Sequence, residues 1–179
     1  LPISTKVRFS SVSCGSHHTF AVSTAGEVYT CGLSSNGRLG ITQYQMGDEK
    51  VLNLFQMTKV QLPSNYKIDQ AHCGKDFTLL LTSDGALLSA GNGKHGIHCN
   101  FGSQSQIQDS SGKYDKDQFS EISASYFGGR ILTFVSAGED HAAVINDNGE
   151  LWTWGLNSHG QCGVNQSSSD MSDIINTPV

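Results

Sequence analysis

The stretch VSCGSHHTFAVSTAGEVYTCGLSSNGRLG, residues 12–40, sets its five glycines at 15, 26, 32, 37 and 40. Counted from Gly15, the last four lie at offsets of 11, 17, 22 and 25 residues. The same offsets from Gly74 meet Gly85, Gly91 and Gly96, with Cys99 in the last place. From Gly138 they meet Gly149, Gly155, Gly160 and Gly163. Fourteen of the 20 glycines thus fall on one frame, whose origins are 59 and 64 residues apart. A period of roughly 60 residues, used three times, marks a repeat architecture.

The segments between the glycines identify the unit. Short runs rich in β-branched and apolar residues precede and follow each origin: FSSVSC, KIDQAHC and ILTFVSA, then TFAV, TLLL and AAVI, then EVYTC, ALLSA and ELWTW. Such runs bounded by turn residues read as strands. The links STAG, TSDG and NDNG end in glycine, the residue a tight hairpin needs where φ turns positive. No segment holds a 3.6-residue period over a dozen residues, so a helical repeat is not expected. Each unit is an antiparallel sheet of three clear strands with room for a fourth, expected around Lys59–Leu62 and Phe119–Ile122. The expected fold is all-β, with three β-propeller blades of about four strands each. The units are placed at about 1–58, 59–118 and 119–179.

At these residues the chain resembles the regulator of chromosome condensation family. The pattern V-x-C-G-x-x-H-T…G-E-V-Y-T-C-G…G-R-L-G is similar to that repeat, and the third unit restates it as V-S-A-G-E-D-H-A…N-G-E-L-W-T-W-G…G-Q-C-G. No Trp-Asp dipeptide is present, and paired glycines occur only at Gly128-Gly129, which separates the chain from the WD and kelch types. The resemblance implies a propeller that closes with seven blades, so three blades are expected to be a segment of a longer propeller or to be completed by self-association. The start LPISTKVRF and the end INTPV resemble the same point of the repeat, and an open arc would expose apolar faces at both ends.

Composition bounds the partners. Apolar residues make up 37%, and the glycines bring the total into the globular range. The net charge of −5 gives no basic surplus to hold phosphates, so nucleic acid is not an expected partner. No run approaches the ~20 apolar residues of a membrane span, and no signal peptide is read at Leu1. The cysteines at 14, 31, 73, 99 and 162 are odd in number and widely spaced, which fits reduced thiols in an intracellular, cytoplasmic or nuclear compartment.

Three clusters invite a sharper chemistry. Cys14, His17 and His18 look like a ligand set until they are aligned. Cys14 then matches Cys73 and Ala137, and His18 matches Phe77 and His141, which makes both scaffold positions. The run GNGKHG, residues 91–96, fits a dinucleotide fingerprint, but no amphipathic helix follows to hold a pyrophosphate. His95, His98 and Cys99, with His72-Cys73, offer zinc-type ligands without a paired C-x-x-C. No nucleophile–base–orienter set is found. Neither an enzyme active site, a metal nor a cofactor is expected.

What remains is a face. Strand reversal puts loops one–two and three–four of every blade on the same side, and binding residues concentrate on loops carried by a rigid sheet. That face is expected to carry Ser16, His17, Lys75, Asp76, Glu139 and Asp140, with Arg38, His95 and His159 from the longer loops. The polar run Gly102–Gln118 reads as a surface loop. The resemblance implies a binding platform, as in the exchange factor for the GTPase Ran, in HECT-domain ubiquitin ligases, in kinase-linked modules and in a plant ultraviolet-B receptor. Light sensing in the last relies on tryptophans at offset +1, and here +1 holds Ser16, Lys75 and Glu139. The expected function is protein–protein interaction within a larger regulatory protein. The expected partner is a small GTPase or a ubiquitin-ligase substrate, and guanine nucleotide exchange is the alternative.

Overall fold

A computed structural model describes residues 6–41, 53–99, 116–165 and 173–179. The described strands are β1 (Phe9–Cys14), β2 (His18–Ser23), β3 (Val28–Leu33), β4 (Asn53–Lys59), β5 (Ile68–Cys73), β6 (Phe77–Thr82), β7 (Leu87–Gly91), β8 (Lys116–Ile122), β9 (Leu132–Ala137), β10 (His141–Asn146), β11 (Leu151–Leu156) and β12 (Ile174–Ile175). They form three antiparallel sheets in the order β1-β2-β3-β4, β5-β6-β7-β8 and β9-β10-β11-β12. Each sheet is one blade. The first strands β1, β5 and β9 lie side by side, and the fourth strands are outermost.

The fourth strand departs from expectation. β4 ends at Lys59 instead of beginning there, and β8 starts at Lys116, taking in the last residues of the polar run assigned to a loop. The sheets therefore run past the expected unit ends at 58 and 118. The rest of that run, 102–115, lies outside the described residues. Outer strands pair along one edge only, so alternation and turn signals mark them weakly.

Alternation along the second and third strands divides each blade into two faces. Phe20, Val22 and Val28 turn toward the second blade and join Ile68, Ala71, Cys73, Leu80, Leu88, Ala90 and Phe119 in one buried core. Phe77, Leu79, Leu81 and Leu87 turn toward the third blade and meet Val135, Ala142, Val144 and Trp154 in another. Each large apolar side chain removed from water here contributes about 1.5–3 kcal/mol. A blade has no core of its own; the cores lie between blades.

The glycine frame has a spatial cause at two offsets. At the origins, a Cβ on Gly15, Gly74 or Gly138 would come within 2.3, 2.1 and 2.1 Å of the His18, Phe77 and His141 rings. The ring at +3 lies flat over the origin and leaves no room. At +17, Gly32, Gly91 and Gly155 take φ of 113°, 105° and 111°. Their chain passes so close to the +2 residue that the amide of the next residue, Leu33, Asn92 or Leu156, donates at 2.8 Å to the carbonyl of His17, Asp76 or Asp140. Cys99, the one frame position without glycine, still adopts φ +51° and is fully buried.

The hairpins repeat one device and fasten blade to blade. Ser23 Oγ, Thr82 Oγ1 and Asn146 Oδ1 accept the backbone N–H groups of Glu27, Ala86 and Glu150 at 3.0, 2.8 and 3.0 Å. The carbonyls of Gly26 and Gly85 then accept the Ile68 and Leu132 amides of the following blade at 3.0 and 3.2 Å.

Candidate functional site

The loops after β1, β5 and β9 and those after β3, β7 and β11 open on one side, as strand reversal requires. The expected face residues divide there into paired and open groups. Lys75 Nζ reaches Glu139 Oε1 at 2.5 Å, and the Lys75 amide also donates to the Glu139 carbonyl at 2.9 Å. Hydrogen bonding to the carboxylate holds the Lys75 ammonium above its usual range and Glu139 below its own. Asp140 Oδ1 lies 3.3 Å from His95 Nδ1. Asp76 Oδ1 lies 2.6 Å from Arg38 Nη1. All three pairs cross from one blade to the next. Ser16, His17 and His159 are exposed, and the His159 ring meets the neighbouring Ser158 hydroxyl at 3.0 Å.

Arg38 corrects the sequence expectation. The loop offsets put it on the partner-facing surface, yet its side chain is 3% exposed and sits behind Asp76. Its Nε and Nη2 donate to the Ser35 carbonyl and hydroxyl at 2.8 and 3.1 Å, closing the short 3-10 segment Ser35–Gly37. The Arg38 carbonyl accepts from Thr78 Oγ1 at 2.9 Å. Since that hydroxyl spends its proton there, it takes a hydrogen bond from His18 Nε2–H at 3.0 Å. The chain His18–Thr78–Arg38–Asp76 thus joins the first two blades. Burial, followed by the Arg38 charge, pulls the His18 pKa down to about 4.

Asp76→Ala strands the buried Arg38 guanidinium without its carboxylate. We expect a loss of about 2 kcal/mol in chemical denaturation, held below the cost of a fully buried pair by the partial exposure of Asp76. Glu139→Ala removes an exposed pair, which contributes little, and should leave the midpoint unchanged.

The residues with zinc-type chemistry serve other partners. His98 Nε2 donates to the Gly91 carbonyl at 2.9 Å and Nδ1 accepts from Ser89 Oγ at 3.0 Å. Burial pulls its pKa down to about 3. Burial raises Cys73 to about 11 and Cys99 to about 12, so neither presents a thiolate at neutral pH. Among the described residues no three of His, Cys, Asp and Glu gather as a metal site. Residues 92–96 are turn and loop, with no helix N-terminus for a pyrophosphate. Sequence reasoning missed Lys116. Its Nζ donates to Ser120 Oγ at 2.7 Å, and burial lowers its pKa to about 8. The five cysteines are free, and no described helix is long and apolar enough to cross a membrane.

Three four-stranded sheets joined through buried faces, with loops of both kinds on one side, define a β-propeller of the repeat class. Family comparison agrees: two descriptions of the regulator of chromosome condensation (RCC1) repeat match, one at residues 9–38 and 133–161, the other at 25–81 and 148–179. The chain belongs to the RCC1 repeat family.

The chain is 34% identical over 175 residues to the mitochondrial RCC1 domain-containing protein RUG3 of Arabidopsis thaliana, covering 97% of this chain and 34% of that protein. It is 30% identical over 162 residues to the E3 ubiquitin-protein ligase HERC2 of Mus musculus, covering 89% of this chain and 3% of that protein. It therefore spans about a third of the first relative and a small part of the second. The structure of Prp20p from Saccharomyces cerevisiae, described with its binding properties to Gsp1p and histones, superposes with a TM-score of 0.73 at 20% identity. The superposition covers 96% of this chain and 37% of that one.

Proposed function

We propose that this chain is a protein–protein interaction module that binds its partner through the loop face, as part of a larger regulatory protein. The observation that carries the proposal is the bracing of that face. The pairs Arg38–Asp76, Lys75–Glu139 and His95–Asp140 tie neighbouring blades together and leave Ser16, His17 and His159 outward. A preorganised polar surface loses little side-chain entropy on docking, which favours association. The partner classes we favour are a small GTPase and a ubiquitin-ligase substrate. HERC2 is named as a ubiquitin ligase and Prp20p is described with Gsp1p and histones, which supports both. The remaining blades come from the rest of a longer chain or from self-association. Five free thiols suit a reducing intracellular compartment.

The test compares capture by the wild-type chain, by His17→Ala/His159→Ala on the loop face, and by Glu27→Ala/Asp84→Ala on the hairpin face. A partner retained by the wild type and the hairpin variant but lost by the loop variant is expected. The opposite pattern overturns the proposal.

Guanine nucleotide exchange is the second reading, supported by the carboxylates of Asp76, Glu139 and Asp140 at the same face. Their engagement within the face leaves them less available to a GTPase lysine or arginine. We expect no acceleration of nucleotide release across a panel of small GTPases. An acceleration abolished by Asp140→Ala would replace the interaction module with an exchange factor.

A further inference from the structure

We infer that the hairpin face carries a second interaction surface, a groove across two blade junctions that takes an extended segment of a partner protein. The segment sets an acidic side chain at the first junction and a lysine or arginine at the second. This surface lies on the side opposite the loop face, so the inference stands apart from the function proposed above.

Two clefts of the same construction open there. Each is walled by the hairpin between the second and third strands, the end of the outer strand and the linker to the next blade. The first, of about 500 Å³, runs from residues 26–28 past Lys59 and Leu62 to Tyr66 and Lys67. The second, of about 200 Å³, lies between residues 84–87, Glu121 and Ile131. Both sit at junctions whose two blades are in place, so neither is a face left open at an end of the sequence. Tyr66 joins them: it lines the first cleft, and its hydroxyl donates at 3.1 Å to Oε2 of Glu121, on the wall of the second. That bond, then burial, then the charges of Glu121 and Asp84 hold the Tyr66 hydroxyl above its ordinary range. Both acids therefore act on one spot.

The charges give the groove two ends. Lys59 and Lys67 stand against Glu27 at the first cleft, and Asp84 and Glu121 against Arg130 at the second. The net signs are opposite. Glu27 holds Lys59 at 2.7 Å, whereas the Lys67 ammonium donates to the Ala25 carbonyl at 3.0 Å. Among the described residues no ion pair engages Lys67, Asp84 or Glu121. Between the charges the walls are apolar: Val28, Val60 and Leu62 in one cleft, Leu87, Ile122 and Phe127 in the other. Ile131 lines the second cleft while 56% exposed.

This chemistry selects the occupant. A nucleic-acid strand presents one sign of charge along its length and matches only one cleft. A cleft of about 200 Å³ is smaller than the ~300–1,000 Å³ of small-molecule sites. It accepts one long side chain, whose methylene stem lies on the apolar wall while its cationic head reaches the acids. An extended peptide sets alternate side chains on one face and can place one in each cleft.

The test selects a random heptapeptide display library on the whole chain. Peptides pairing an acidic with a basic residue should be enriched about fivefold over their library frequency, the scale of one exposed ion pair. Lys67 and Glu121 are both exposed, so reversing either charge leaves the fold intact. Glu121→Lys should abolish the basic preference, and Lys67→Glu the acidic one. The joint variant Lys67→Glu/Glu121→Lys should select the motif with its two charges exchanged along the peptide, an outcome that a misfolded chain cannot produce. His17→Ala/His159→Ala on the loop face should leave the selection unchanged, which separates this surface from the loop-face reading. The inference is overturned if no charge preference emerges, if the wild-type motif persists on the reversed variants, or if the loop-face variant loses it.

Discussion

Gly91→Ala is expected to lower stability by about 3 kcal/mol or more, enough to unfold a marginal domain at body temperature. Two costs add. Gly91 sits at φ 105°, where an L-residue is strained. An added Cβ would also lie 2.5 Å from the Asp76 carbonyl and from Phe77 Cα. Both are backbone atoms, so no side-chain rotation relieves the clash. Relaxation must move the strand end, which carries the Asn92 amide to the Asp76 carbonyl and the His98 ring to the Gly91 carbonyl. Gly149→Ala is the control, with φ +80° but nothing within 4 Å of its Cβ among the described residues; it should cost only its share of strain, about 1 kcal/mol. Urea denaturation of both variants checks the difference, and equal losses would refute the close-approach account.

Acidification from pH 7 to 4.5 is expected to cost several kcal/mol, on the order of 3–5, through His18 and His98. Burial depresses both, to about 4 and about 3, from an ordinary value of 6.5. Between 6.5 and these values the unfolded chain binds protons that the folded chain refuses, so stability falls as pH falls. It is fully present above about 6.5, and the loss is complete only below the folded values. The hydrogen bonds agree with the sign: each ring is placed as a neutral tautomer, His18 donating to Thr78 and His98 bridging Ser89 and Gly91. Stability measured at half-unit steps should slope by up to about 1.4 kcal/mol per pH unit for each histidine. His18→Phe, which borrows the residue at Phe77, should remove one such contribution whatever it does to the midpoint. An unchanged slope would falsify the assignment.

The blades were legible because a glycine is demanded wherever a ring covers the chain or the backbone crosses a neighbour at close range. Those demands recur at fixed offsets, and one survives at Cys99 as a positive φ without the glycine. The outer strands were less legible. β4 and β8 stand apart from the glycine frame, beyond long insertions, and nothing in their own residues fixes register. Of the candidate site residues, Ser16, His17 and His159 are exposed, in the loops after β1 and β11. The cross-blade pairing of that face was hidden, since it joins residues of different units, 38, 45 and 64 positions apart. A signal did exist: a base at +21 or +23 of one unit and an acid at +2 of the next. Reading it requires knowing that neighbouring units face each other, which packing decides and composition does not.

The hairpin fastening has a mechanical consequence. Gly26 and Gly85 hold the next blade by its first strand on the side opposite the loop face, while the Arg38–Asp76 and His95–Asp140 pairs meet it on the loop side. Each junction is pinned at both ends of its strands, like a plank nailed twice. A partner that pulls on one loop cannot swing a single blade about its neighbour without breaking backbone bonds on the far side. Load applied at one loop therefore also reaches the backbone hydrogen bonds that fasten the next blade on the far side.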